Sequence, residues 1–171
     1  MTDPPSGRHA HAGARPVGAL ALLTVSDTRS AENDVAGRTM RDRLTGAGHR
    51  IVDQRIVPDD PDAVREQILA WLARPDCDGV VVSGGTGISV RDRTYEAVVS
   101  LIDKRLDGFG ELFRVLSYQT IGSAAMLSRA VAGVARGKIV FSIPGAPAAV
   151  ELALDALIVP ELPHLLSELA K

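Results

Sequence analysis

The sequence predicts an α/β fold of three layers, α/β/α, with helices on both faces of a mostly parallel sheet. Three strand-like runs, Ala19 to Val25, Ile51 to Val57 and Gly79 to Ser83, alternate with segments whose apolar residues recur at helical spacing. Strands separated by helices require right-handed crossovers, which lay the strands parallel and put helices over the sheet. Each run also ends in a polar turn, as strands do at the carboxyl edge of a buried sheet.

Ala19 to Val25 is a compact apolar run closed by Ser26-Asp27-Thr28, the pattern of a strand covered on both faces. Val35, Met40 and Leu44 predict a helix across residues 33 to 47, stopped by Gly46 and Gly48. Ile51 to Val57 is the second strand, ended by Pro58-Asp59-Asp60-Pro61, where Asp60 is placed to cap a helix that opens on Pro61. Val64, Ile68, Trp71 and Leu72 form one apolar stripe over residues 62 to 73, so Trp71 reads as core. Gly79 to Ser83 is the third strand, and the glycine run after it leads into a helix beginning near Asp92. Residues 108 to 130 read as largely helical, with further strands at Val131 to Val134 and Lys138 to Ile143. Pro144-Gly145-Ala146-Pro147 turns the chain into a helix from Ala148 to Leu157, and Pro160 and Pro163 are expected to break up the last amphipathic segment.

A chain of 171 residues, 46% hydrophobic and 23% charged, is long enough to bury one substantial core. The expected organisation is a single domain over residues 17 to 171 behind a flexible tail, residues 1 to 16, rich in Pro, Gly and polar groups. The formal net charge is -2 and no dense Lys/Arg run is interleaved with aromatics, which argues against a nucleic-acid partner. The longest mostly apolar stretch, Val17 to Val25, falls far short of the roughly 20 residues that span a bilayer, and there is no apolar signal region. A cytoplasmic protein without a membrane partner is the expectation. Cys77 has no second cysteine to pair with and reads as a small buried thiol, while His9, His11, His49 and His164 lack the spacing of a zinc site.

Ligands of open parallel sheets bind beyond the carboxyl ends of the strands, where helix amino termini direct partial positive charge. Ser26 to Thr28, Pro58 to Asp60, Ser83 to Thr94 and Ser142 to Pro147 are polar turns of this kind. Gly84-Gly85-Thr86-Gly87 suits a phosphate cradle of backbone amides, or else a tight turn that needs positive φ. It is no Walker A loop, because no lysine follows, and Ile88-Ser89-Val90 departs from the dinucleotide fingerprint. Asp59 and Asp92 are the carboxylates best placed to hold a magnesium ion, with helix capping as the competing role for each.

Ser83-Gly84-Gly85-Thr86-Gly87 followed by Arg91-Asp92-x-Thr94 resembles the signature of the MoaB/Mog family of molybdenum-cofactor biosynthesis proteins. Asp27-Thr28-Arg29, Val57-Pro58-Asp59, Gly108 to Arg114, Leu127-Ser128-Arg129-Ala130 and Ile143 to Pro147 match further blocks in the family's order, covering nearly everything from residue 17 onward. The stretch after Gly108 looks closer to the MoaB branch. The resemblance implies a homo-oligomer, trimer or hexamer, that adenylylates molybdopterin with Mg-ATP and releases pyrophosphate. It further implies catalytic and metal-binding roles for Asp59 and Asp92, and a binding edge formed by Ser26, Asp27, Gly84, Gly85, Thr86, Gly87, Ser89 and Thr94. Glu111, Ser142, Pro144, Gly145 and Pro147 follow as further binding residues, and Arg91 and Arg114 as cationic candidates. The implied partner is the molybdenum-insertion protein of the pathway. The alternative from another class is a non-catalytic molybdopterin-binding or scaffold subunit of the same pathway, and a third reading is a phosphohydrolase built on the same domain.

Overall fold

The computed structural model describes residues 16–171, so the expected tail lies outside the described residues except for Pro16. A six-stranded sheet runs in the order β2-β1-β3-β6-β5-β4. Its strands are β1 (Ala19–Val25), β2 (Arg50–Val57), β3 (Gly79–Ser83), β4 (Lys104–Arg105), β5 (Val131–Ala135) and β6 (Lys138–Ile143). The pairings of β1 with β2, β1 with β3 and β3 with β6 are parallel, while β5 and β4 extend the far edge antiparallel. The hairpin joining β5 to β6 turns on Arg136 and Gly137, both at positive φ (51° and 74°), which is the backbone a two-residue turn needs to follow the strand twist.

The helices are α1 (Val35–Gly46), α2 (Pro61–Leu72), α3 (Thr94–Val99), α4 (Asp107–Ile121), α5 (Pro147–Ala153) and α6 (Val159–Leu169). Alternate residues of each central strand face opposite layers. Leu20, Leu22, Val81, Ile139, Phe141 and Ile143 pack with Met40 and Leu44 of α1, Phe113 of α4 and Val150 and Leu162 from α5 and α6. Ala21, Leu23, Val25, Val80, Val82 and Val140 pack with Val64, Ile68, Trp71 and Leu72 of α2 and with Ala97 and Val98 of α3. Trp71 is 1% exposed, as its place in the apolar stripe predicts, and its indole N–H donates to Asp53 Oδ2 at 3.0 Å. Full burial of side chains of this size contributes about 1.5–3 kcal/mol each, so two such layers fix which edge of the sheet is left open.

Caps set the entry of the helices. Asp60 Oδ1 accepts from the amides of Asp62 and Ala63, both at 2.9 Å, with Pro61 in the first turn. Buried Asp34 divides its carboxylate, taking the Gly37 amide at 2.8 Å on one oxygen and the Thr24 hydroxyl at 2.7 Å on the other. Cys77 is buried, and burial pushes its thiol up.

Three sequence expectations change. The helix after the glycine run starts at Thr94 rather than near Asp92. The helical stretch from 108 to 130 divides, since Gly122 at φ 58° ends α4 and residues Gly122–Leu127 continue as a 3-10 turn before an extended approach to β5. Pro160 and Pro163 do not break the last segment. A π turn over Leu154–Ile158 carries the chain from α5 into α6, whose first turn contains Pro160 and whose interior tolerates Pro163. A proline lacks only its own N–H, and a wider turn just upstream relieves the ring's crowding of the preceding carbonyls. The two-residue strand β4 has no counterpart among the expected elements.

Candidate functional site

The site lies where the sheet order reverses. The chain passes from β1 outward to β2, then crosses back to β3 on the other side of β1, so the loops after β1, β2 and β3 diverge from one crevice at their carboxyl ends. Side-chain contacts close that crevice. Asp27 Oδ1, after β1, accepts the Asp59 amide, after β2, at 3.0 Å. Asp27 Oδ2 forms an ion pair with Arg91, after β3. Asp27 and Asp92 both lie near enough to Asp59 for their charges to act on it.

Neither principal carboxylate caps a helix. Asp60 fills that role for α2, and α3 begins at Thr94 without any side-chain cap. Asp92 Oδ2 instead accepts the Ser89 amide at 3.0 Å, inside the glycine loop. Asp59 Oδ1 is buried without a hydrogen-bond partner among the described residues, and so are the hydroxyls of Ser83, Thr94 and Ser142. Burial raises the Asp59 carboxyl above the ordinary carboxylate range, the charges of Asp92 and Asp27 push it further, and the charge of Arg91 offsets part of this. A buried, unpartnered carboxylate oxygen beside other negative charges is costly unless a cation or proton meets it.

The glycines are required by contact as well as by conformation. Gly84 and Gly85 have φ of 104° and 63°, a region other residues enter at a cost of about 1–2 kcal/mol. A Cβ on Gly84 would strike the Val25 carbonyl, one on Gly85 would lie 2.8 Å from Asp59 Oδ1, and one on Gly87 would lie 2.5 Å from Asp92 Oδ2. The loop after β6 completes the floor. Gly145 approaches Gly84 so closely that its own Cβ would sit 3.1 Å from the Gly84 Cα, and the Gly84 amide donates to the Ile143 carbonyl at 3.1 Å.

Asp27, Asp59, Gly84, Gly85, Thr86, Gly87, Ser89, Asp92, Thr94, Ser142 and Gly145 therefore belong to one edge of the sheet, together with Pro144 and Pro147 that flank Gly145. Ser26 is there too, but its hydroxyl oxygen is occupied by the amides of Thr28 and Arg29, both at 3.2 Å. Glu111 stands apart. It lines a cavity of about 270 Å³ with Tyr95, Arg105 and Arg114, and neither Asp59, Asp92 nor any glycine-loop residue lines it. A larger cavity, about 460 Å³, opens between α1 and β2 beside Arg38, Arg41 and Gln54, and none of the expected site residues lines it.

Arg129 is the site residue the sequence reading passed over. Its guanidinium donates to the carbonyls of Thr86 (2.9 Å), Gly87 (2.6 Å) and Asp92 (3.1 Å) and pairs with Glu96. The block Leu127-Ser128-Arg129-Ala130 carried the signal, since it sets an arginine at the mouth of an apolar strand.

Hard carboxylate oxygens, one buried and unpartnered, suit a magnesium ion that takes one or two carboxylates beside phosphate oxygens and water. Among the described residues no group of three His, Cys, Asp or Glu side chains is gathered closely enough to hold a metal unaided.

Residues 21–164 match a family described as probable molybdopterin binding domain. The chain is 48% identical over 149 residues to molybdenum cofactor biosynthesis protein B of Bacillus cereus, with 86% of this chain and 88% of that protein covered. It is 49% identical over 151 residues to the protein of the same name from Bacillus subtilis (88% and 89% covered). Among solved structures, a molybdenum cofactor biosynthesis protein B superposes with a TM-score of 0.90 at 46% identity over 92% of this chain and 99% of its own. The tungsten cofactor synthesizing protein MoaB of Pyrococcus furiosus does so with a TM-score of 0.79 at 37% identity, covering 92% of this chain and all of its own (100%).

Proposed function

The chain belongs to the molybdopterin-binding domain family, and from that premise we propose that it serves molybdenum-cofactor biosynthesis by adenylylating molybdopterin. In this reaction an oxygen of the pterin's terminal phosphate forms a bond to the α-phosphorus of ATP, the bond between the α- and β-phosphates breaks, and pyrophosphate leaves. The observation that carries the reading is the pair Asp59 and Asp92, two carboxylates from separate strand ends that cap nothing and face the glycine loop.

Phosphoryl-type transfer asks chiefly for alignment and for neutralisation of charge. A bound magnesium ion would neutralise phosphate charge, and Asp59 and Asp92 are the groups that would hold it. Asp27 orients the loop of Asp59 through its amide and restrains Arg91. Within the glycine loop, whose Gly84 and Ser89 amides are already used, the amides of Gly87 and Ile88 are offered to phosphate oxygens, with Thr94 beside Asp59. Ser142, Pro144, Gly145 and Pro147 supply the neighbouring wall for the pterin. Glu111, in its separate cavity, contacts substrate only through a part that extends into that cavity.

The reading includes a cytoplasmic homo-oligomer, trimer or hexamer, of single-domain chains from residue 17 onward that pass product to a molybdenum-insertion protein. Support for self-association comes from α4 and the turn after it. Leu112, Val115, Tyr118, Ile121, Met126 and Leu127 are all more than half exposed, and the first four recur at i, i+3, i+6 and i+9 along the helix. Apolar faces of that extent mark interfaces. No helix among the described residues is long and apolar enough to cross a membrane.

Incubation with molybdopterin and Mg-ATP, with pyrophosphate and the adenylylated pterin followed together, tests the proposal. Product requires both substrates. A pterin-binding scaffold yields none, and a phosphohydrolase consumes nucleotide when pterin is omitted.

A further inference from the structure

We propose that Arg129 is a positioning residue that sets the direction of the amides in the glycine loop, an inference that rests on the reading of that loop as a phosphate cradle. Arg129 lies two residues before β5, and its side chain is 26% exposed. Its Nε donates to the Thr86 carbonyl at 2.9 Å, and Nη2 donates to the carbonyls of Gly87 at 2.6 Å and Asp92 at 3.1 Å. Glu96 pairs with the remaining face of the guanidinium, which lies 5.0 Å from the centroid of the Tyr95 ring. The planar fork is thus fixed by α3 while it grips the loop that precedes α3.

The consequence follows from peptide geometry. There are no cis peptide bonds in the described chain, and a planar trans peptide points its N–H opposite its C=O. Carbonyls of Thr86 and Gly87 turned toward Arg129 therefore turn the amides of Gly87 and Ile88 away from it. Neither amide meets an acceptor among the described residues, whereas Ser89, Asp92 and Thr94 use theirs within the loop. Consecutive amides directed to one side, with no internal acceptor, form an anion-binding concavity. Glu96 balances the arginine's charge, so the attraction for phosphate comes from the amides and the role of Arg129 is geometric.

Arg129→Lys separates geometry from charge, because lysine keeps the charge and loses the planar fork that reaches several carbonyls at once. Two readouts are taken on the folded variant. Without nucleotide, hydrogen exchange at the bonded amides of Ser89, Asp92 and Thr94 is expected to quicken about tenfold or more, while α1 and α2 keep the parent's protection. With nucleotide, the calorimetric Kd for Mg-ATP is expected to rise about tenfold. Unchanged loop exchange, or a Kd within about twofold of the parent's, overturns the proposal. Failure of the parent itself to bind Mg-ATP counts against the nucleotide reading alone, because the ligand-free exchange still decides what Arg129 does. Should Arg129→Lys fail to fold, the same ligand-free exchange is read on Glu96→Ala, which releases the guanidinium from α3: quicker exchange at Ser89, Asp92 and Thr94 is expected, and exchange equal to the parent's overturns the proposal.

Discussion

Asp59 and Asp60 are sequence neighbours whose substitutions should move stability in opposite directions. Asp60 caps α2 through two amides at 2.9 Å, and loss of such a cap costs about 1 kcal/mol. In a domain of this length, 1 kcal/mol shifts Tm by about 2–4 °C, so Asp60→Ala should lower Tm by that amount. Asp59 has a buried oxygen with no partner and carries its charge near Asp92 and Asp27. Its folded-state pKa is raised, so the folded chain holds that proton at pH values where the unfolded chain has released it. Stability is then lost as pH rises from the ordinary value of 3.8 through the raised one, and the loss persists at neutral pH. Asn removes the charge and keeps the shape of the side chain, so the repulsion from Asp92 and Asp27 is lost. In the absence of metal and nucleotide, Asp59→Asn should raise Tm at pH 7 by no more than about 2–4 °C, because solvent screens the carboxylate's exposed side, and abolish turnover. Thermal unfolding followed by circular dichroism measures both variants. A fall in Tm for Asp59→Asn comparable to that of Asp60→Ala would make Asp59 a structural residue and refute the reasoning.

Gly87→Ala should leave Tm within about 2 °C of the parent, since Gly87 has no positive φ. Its Cβ would push on Asp92 Oδ2 from 2.5 Å, and displacement of a catalytic group by about 1 Å costs about 100-fold in turnover; steady-state kinetics that match the parent would contradict this. His49 is 6% exposed and accepts the Gly18 amide on Nδ1 at 3.1 Å, and burial lowers its pKa from the usual 6.5. The unfolded chain then binds the proton first, so stability contributed by neutral His49 is lost as pH falls below about 6.5. His49→Asn should flatten urea-derived stability between pH 7 and pH 5, and an unaltered slope would assign the acid loss elsewhere. Leu112→Glu combined with Val115→Glu places charge on the exposed face of α4 and should convert the proposed homo-oligomer to smaller species in sedimentation velocity, whereas a sedimentation coefficient equal to the parent's would contradict an interface on this face.

The central strands were legible because burial on both faces demands short runs free of charged side chains, and Ala19 to Val25 is apolar except for Thr24 while Val80 to Val82 fill the middle of Gly79 to Ser83. The cap at Asp60 was legible for a local reason, that a carboxylate before Pro61 meets amides only two and three residues away. The dual possibility for Asp92 was not resolvable locally. It turned on where α3 begins, and that start is fixed by the Thr94 amide reaching back to the Gly85 carbonyl at 3.0 Å. β4 was invisible because Lys104 and Arg105 are exposed and gain their strand character only by pairing with Val134 and Gly133. Arg129 and Glu111 failed to separate in the sequence for a related reason. Both are charged residues in family-like blocks, and only tertiary folding sets one across the glycine loop and the other in a separate cavity.

The account stands most directly on where Mg-ATP sits. A crystal structure with magnesium and a non-hydrolysable analogue bridged by methylene between the α- and β-phosphates should show a metal in contact with Asp59 and Asp92 and phosphate oxygens on the amides of Gly87 and Ile88. Nucleotide bound away from the turns that follow β2 and β3, with both carboxylates free of metal, would contradict it.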